Sequence, residues 1–126
     1  MKFRGLKIAA MAVGSVALAG SLATSAQADD LDYTCNDHEV CNYRLTSYTG
    51  GIWDTGSDES NYVGWYFSNG YTLNDRTSSL KNNADIYDVA HYTNSSYSGY
   101  YLYTSTNSAR SSLYSPYENA FSSHQF

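Results

Sequence analysis

Two short stretches gather the side chains best suited to chemistry: Asn74-Asp75-Arg76-Thr77-Ser78-Ser79 and Glu118-Asn119-Ala120-Phe121-Ser122-Ser123. Each sets Asx side chains beside paired serines, so each offers carboxylate or amide oxygens, hydroxyls and the carbonyls of a turn. A hard cation takes about six to eight such oxygens. The same residues also close turns by local hydrogen bonds to their own backbone, and on the residues alone both readings stand. Catalysis has no comparable signature. Neither G-x-S-x-G nor H-E-x-x-H occurs, and His38, His91 and His124 are scattered. His91 reads as an ordinary strand residue, and Asp37-His38-Glu39 as a solvated loop. No catalytic residue is assigned, and the chain is not expected to be an enzyme.

The elements that must hold these turns are announced by a phrase written twice. "YRLTSYTGG" (43–51) and "YTNSSYSGY" (92–100) both read aromatic, four residues, aromatic, one residue, glycine: Tyr43, Tyr48, Gly50 and Tyr92, Tyr97, Gly99, with an offset of 49 residues. A double serine follows each, 28 residues from Gly50 to Ser78 and 23 from Gly99 to Ser122. Parallel order of this kind indicates internal duplication. Helical periodicity is absent after residue 30, whereas short runs such as "VCNYR", "GIWDT", "YVGWYF", "IYDVAHY" and "YYLYTS" alternate with Gly, Asn, Ser and Asp clusters. That pattern predicts an all-β chain. In each copy the glycine supplies a positive φ at the corner of a folded hairpin. The aromatics pack beneath it, and a later serine hydroxyl holds the hairpin backbone closed. Two four-stranded units then bury together what neither buries alone.

The first residues stand apart. Lys2, Arg4 and Lys7, an apolar run and Ala26-Gln27-Ala28 form a secretory signal peptide over 1–28, cleaved to leave one small domain, 29–126. The apolar run is too short to span a bilayer comfortably, so the product is expected to be secreted, extracellular and free of the membrane. The domain keeps four Lys+Arg against twelve Asp+Glu, a net charge of −8, which repels nucleic acid and anionic lipid. All fourteen tyrosines lie in it, and aromatics bury much area per residue in a thin core. Trp53 and Trp65 read as core. Cys35 and Cys41, the only cysteines, are expected to pair in an exported chain, a small ring worth about 2 kcal/mol. The longest irregular stretches are "TGSDESNY" (55–62) and "STNSARSSLYSP" (105–116), the second holding Arg110. A monomer is expected.

The repeated phrase with its later serine resembles the βγ-crystallin Greek key. The resemblance implies a sandwich of two such motifs, about 35–82 and 86–126. "NDRTSS" matches that family's calcium signature at every position, and "ENAFSS" departs only at Glu118. What this implies is a calcium ligand set of the Asp75 and Asn119 side chains, the Arg76 and Ala120 carbonyls and the Ser78 and Ser122 hydroxyls. "CNDHEVCNY" (35–43) is similar to the opening of a secreted peptidase-inhibitor branch of this fold, typified by the Streptomyces metalloproteinase inhibitor. The resemblance implies a secreted protease as partner. That inhibitor staples its protease-facing loop with a second disulfide, and no cysteine follows Cys41 here, so no residue is assigned to an inhibitory loop. Two alternatives accompany it: a calcium-binding structural or surface module, and a killer-toxin-like antimicrobial.

Overall fold

β-Branched and aromatic residues between turn formers give seven short strands in the computed structural model, which describes residues 30–126. The expected signal peptide lies outside the described residues. The strands are β1 (Val40–Leu45), β2 (Thr49–Thr55), β3 (Ser79–Asn82), β4 (Val89–Asn94), β5 (Ser98–Thr104), β6 (Ser108–Arg110) and β7 (Ser123–Gln125). They form two antiparallel sheets, ordered β2-β1-β3-β6 and β5-β4-β7. The hairpins β1–β2 and β4–β5 share one register, Val40 facing Thr55 and Val89 facing Thr104. The all-β, two-motif sandwich is as expected, with one correction. The units are not self-contained, because the second lends a strand to the first and the first lends a single bridge to the second. β6 of the second copy completes the first sheet against β3. Glu59 of the first copy bridges His124 of β7 through paired bonds of 3.1 and 2.9 Å. The crossing carries Tyr62 and Leu113, just beyond each lent segment, into the core with Trp53, Phe67, Leu73, Leu80, Leu102 and Phe121. Burying one such side chain contributes about 1.5–3 kcal/mol, which favours the exchange over two open half-cores.

The repeated phrase has the geometry its residues require. Ser47 and Tyr48 take φ of 56° and 60°, Ser96 and Tyr97 both 58°, and the glycines follow at 80° (Gly50) and 86° (Gly99). Tyr43 meets Tyr48 edge to face at 5.6 Å, and Tyr92 meets Tyr97 at 5.9 Å. Ser79 Oγ donates to the Leu45 carbonyl at 2.6 Å and accepts from Tyr48 N–H at 3.0 Å. Ser123 repeats both bonds, to the Asn94 carbonyl at 2.7 Å and from Tyr97 N–H at 3.2 Å.

The Cys35–Cys41 disulfide is present, but the loop it encloses is not wholly solvated. Glu39 is fully buried, as is Asp54 on β2. The reason is that the segment before β1 folds over the first sheet. Asp54 accepts the Tyr33 and Asp32 N–H groups at 2.8 and 3.3 Å, and Glu39 accepts that of Asn36 at 2.6 Å. "YVGWYF" is not a strand either, since its glycine at Gly64 (φ 95°) turns it into an irregular hairpin.

Candidate functional site

The two oxygen-rich turns meet. Each Asx residue lies opposite the serine of the other turn: Ser78 Oγ donates to Asn119 Oδ1 at 2.9 Å, and Ser122 Oγ to Asp75 Oδ1 at 3.0 Å. The backbone repeats the exchange, Asp75 N to the Phe121 carbonyl at 3.0 Å and Asn119 N to that of Thr77 at 2.9 Å. Asp75 and Asn119 hold φ of 59° and 54°, a region Asx tolerates better than most residues. A cavity of about 680 Å³ beside them is lined by Asn74, Asp75, Ser78, Glu118 and Asn119 and by Arg44 and Arg76. Asn74 Oδ1 is buried there with no hydrogen-bond partner among the described residues. An orphaned oxygen beside two Asx–Ser pairs is a donor set that fits a hard cation. The Arg76 and Ala120 carbonyls belong to the same two turns. Against a cation stand the two guanidinium groups, although Arg44 is held over the Tyr71 ring at 4.0 Å and Arg76 donates to Thr72 Oγ1 at 3.0 Å.

The histidines form no reactive cluster, but His91 and His124 do what the sequence did not suggest. A buried chain of hydrogen bonds joins both sheets. His124 Nε2 lies 2.7 Å from the Ser57 carbonyl, so it must donate. Burial lowers the His124 pKa to about 4. The ring is therefore neutral, and its Nδ1 accepts from the Tyr62 hydroxyl at 2.7 Å. That hydroxyl accepts from Asn42 Nδ2 at 3.1 Å, and Asn42 Oδ1 accepts from His91 Nε2 at 2.9 Å. Every donor points the same way, from His91 to Ser57. Burial also drives the Tyr62 pKa up and the His91 pKa well down, the latter aided by His124 and Arg110. Such shifts can mark catalysis, but here both rings are fully buried and no substrate atom can reach them. Asn42 and His91 occupy the same position in the two copies, and this pairing across the internal two-fold is the signal sequence reasoning missed.

Neither irregular stretch projects as a free loop. Residues 55–62 lie along β7, with Ser60 accepting Ser96 N–H at 2.7 Å. In 105–116, β6 pairs with β3, Leu113 is buried, and Arg110 is spent on Thr104 Oγ1 at 3.0 Å and the Tyr103 carbonyl. The irregular hairpin 62–73 straps the outer edge of β2 and carries exposed apolar side chains. Tyr62, Phe67 and Leu73 root it in the core. Trp65 packs against that core, half-buried where the sequence predicted core. Backbone bonds from Phe67 N to Tyr71 O (2.8 Å), Leu73 N to Trp65 O (2.9 Å) and Ser68 N to Ile52 O (2.9 Å) fix its course. On this frame Val63, Tyr66 and Tyr71 are 67%, 51% and 48% exposed.

A family model described as Peptidase inhibitor family I36 matches residues 28–104. No curated protein matches the chain. Solved structures agree on the fold. One described under the evolution of the eye lens βγ-crystallin domain fold is 20% identical, with a TM-score of 0.60 over 70% of this chain and 83% of that one. A βγ-crystallin from an archaeon is 27% identical, with a TM-score of 0.55 over 71% of this chain and 98% of that one. A βγ-crystallin domain from Flavobacterium johnsoniae is 23% identical, with a TM-score of 0.55 over 68% and 90%.

Proposed function

Since the chain belongs to peptidase inhibitor family I36, we propose that it is a secreted proteinaceous inhibitor that binds a metallo- or serine protease through the hairpin 62–73. The family match carries the inhibitory role. The choice of hairpin rests on its exposed apolar side chains set on a backbone anchored at both ends. A loop already held in its binding conformation loses little entropy on entering a cleft, and here core packing stands in for a second disulfide. The domain is expected to titrate a protease of one of those classes stoichiometrically. Val63→Asp with Tyr66→Asp should weaken inhibition about a hundredfold or more while leaving the melting temperature within a few degrees, because both side chains are exposed. A panel of metallo- and serine proteases, none of them inhibited, would dismiss the inhibitory role. Inhibition that survives the double variant would dismiss only the hairpin.

Calcium binding at the paired turns is a second reading, favoured by the buried, unpartnered Asn74 Oδ1. The ion would replace the serine hydroxyls as partner of the Asp75 and Asn119 oxygens. Ligand charge raises calcium affinity, so the position centred on Asp75 is the tighter one. Millimolar calcium should raise the melting temperature by mass action, with magnesium acting poorly. Asp75→Ala should abolish most of that rise and Asn119→Ala less. A melting temperature indifferent to calcium would leave the turns as structural closures.

A further inference from the structure

The two copies are not equally finished. Along the outer edge of β2, the carbonyls of Gly50, Ile52 and Asp54 accept from Asn69 Nδ2, Ser68 N and Leu31 N. Ile52 N–H donates to Ser68 Oγ at 3.1 Å. In the second copy the same register places Gly99, Tyr101 and Tyr103 along the edge of β5. The shorter connection there, 23 residues against 28, includes no counterpart of the hairpin 62–73. Only the Tyr103 carbonyl is engaged, by Arg110. Backbone groups two residues apart on a strand point the same way. The Tyr101 N–H and C=O therefore face outward too, and among the described residues nothing meets them.

Open edges are commonly guarded by charge or proline. Here the sequence from Val89 to Ala109 contains no Asp, Glu, Lys, Arg or Pro, and among the described residues the one charge bonded to the edge is Arg110, at the Tyr103 carbonyl. The one register shift lies at the hairpin tip, between Tyr92 and Asn94. Over the outer face of this sheet runs a row of tyrosines. Tyr92 and Tyr101 lie 6.0 Å apart and Tyr101 and Tyr103 5.2 Å apart, the last two more than half exposed. The carboxylates near this sheet lie at its ends, Asp88 on the Thr106 N–H at 3.2 Å and Asp58 and Glu59 beside β7; Glu39 and Asp54 lie under the N-terminal segment, and Asp75 and Glu118 at the turns.

We propose that β5 pairs with β5 of a second copy of this chain, forming a two-fold symmetric dimer with one continuous sheet. The occupant follows from charge. Two copies of residues 29–126, at −8 each, repel one another over most of their surface and can approach where negative charge is sparse. The edge is also self-complementary. With Tyr101 opposite Tyr101 of the other copy, the pair exchanges both backbone bonds, and each Tyr103 N–H faces the other copy's Gly99 carbonyl, the Tyr103 carbonyl staying with Arg110. This revises the monomer expected from the sequence and is independent of inhibition.

The test is sedimentation equilibrium of the secreted chain up to about 100 μM, with amide exchange measured at low and high concentration. A reversible dimer is expected, with the Tyr101 and Tyr103 amides exchanging more slowly as it forms. Tyr101→Lys places like charges at the two-fold and should weaken the dimer at least about tenfold. The melting temperature of the dilute variant should not change, because the side chain is exposed. A chain monomeric throughout overturns the proposal. So does a dimer that leaves those two amides unprotected, or one indifferent to Tyr101→Lys.

Discussion

Valine at Gly50 or Gly99 is expected to cost on the order of 2–4 kcal/mol, a large fraction of the roughly 5–10 kcal/mol that holds a small domain together. Two effects add. The φ values of 80° and 86° lie where a β-branched residue is badly strained. A Cβ would also fall 2.5 Å from Leu45 Cγ at Gly50, and 2.5 Å from Thr93 Oγ1 at Gly99. Leu45 is exposed and can swing aside. Thr93 Oγ1 is committed to the Tyr100 N–H at 3.0 Å, so Gly99→Val should be the worse. Gly70→Ala is the control, because φ is 90° there but nothing lies within 4 Å of the added carbon; it should cost about 1 kcal/mol. Denaturant midpoints measure all three. Valine variants as stable as the alanine control would refute the folded-hairpin geometry.

The second large effect is a stability maximum near pH 6.5. His91 and His124 are buried and neutral in the native state. Below their ordinary value of 6.5 only the unfolded chain takes up protons. Stability therefore falls with acid by about 1.4 kcal/mol per pH unit for each ring, down to about 4 for His124. Glu39 works in the opposite sense. Burial raises it from 4.5 to about 8, against the pull of the Asn36 N–H. Its contribution is complete below 4.5 and is lost as pH climbs through about 8. Asp54 beside it is raised too, chiefly by burial, and acts in the same direction. Between 4.5 and 6.5 the two histidines outweigh Glu39; above 6.5 the rings no longer titrate and Glu39 carries the slope up to about 8. Unfolding free energies measured across this range should trace a dome, and Glu39→Gln should flatten its alkaline limb. A protein that keeps gaining stability above pH 7 would contradict the assignment.

Much of this was legible because it is local. Tyr48, Gly50 and Ser79, with Tyr97, Gly99 and Ser123, carry their geometry in their own dihedrals and hydroxyls, so spacing alone locates them. Cys35 and Cys41 are near neighbours in sequence and needed only an oxidising setting. Asp75 and Asn119 were visible as turns, and their crossed pairing with Ser122 and Ser78 follows from the internal two-fold. The lent segments were not legible. Glu59 and Ser108–Arg110 carry no pattern that chooses one sheet over the other, since partners 65 and 30 residues away, at His124 and Leu80, decide it. Glu39 read as solvent-facing because carboxylates usually are, and only a covering segment reverses that. Residues 62–67 read as a strand because their aromatics serve the core, while Gly64 breaks the ladder.

The lent segments also bear on how the chain can change over time. Each half holds the closing piece of its neighbour's sheet, so a recombination event that deletes one copy leaves an unfinished half. Inherited together, the copies behave like subunits of a heterodimer that can never dissociate. Drift in one is answered at once by the other, as Asn42 and His91 now complete one bond between them. The symmetry between them is thereby free to decay: one copy carries a strap over its edge and the other does not, and neither can be exchanged for its twin.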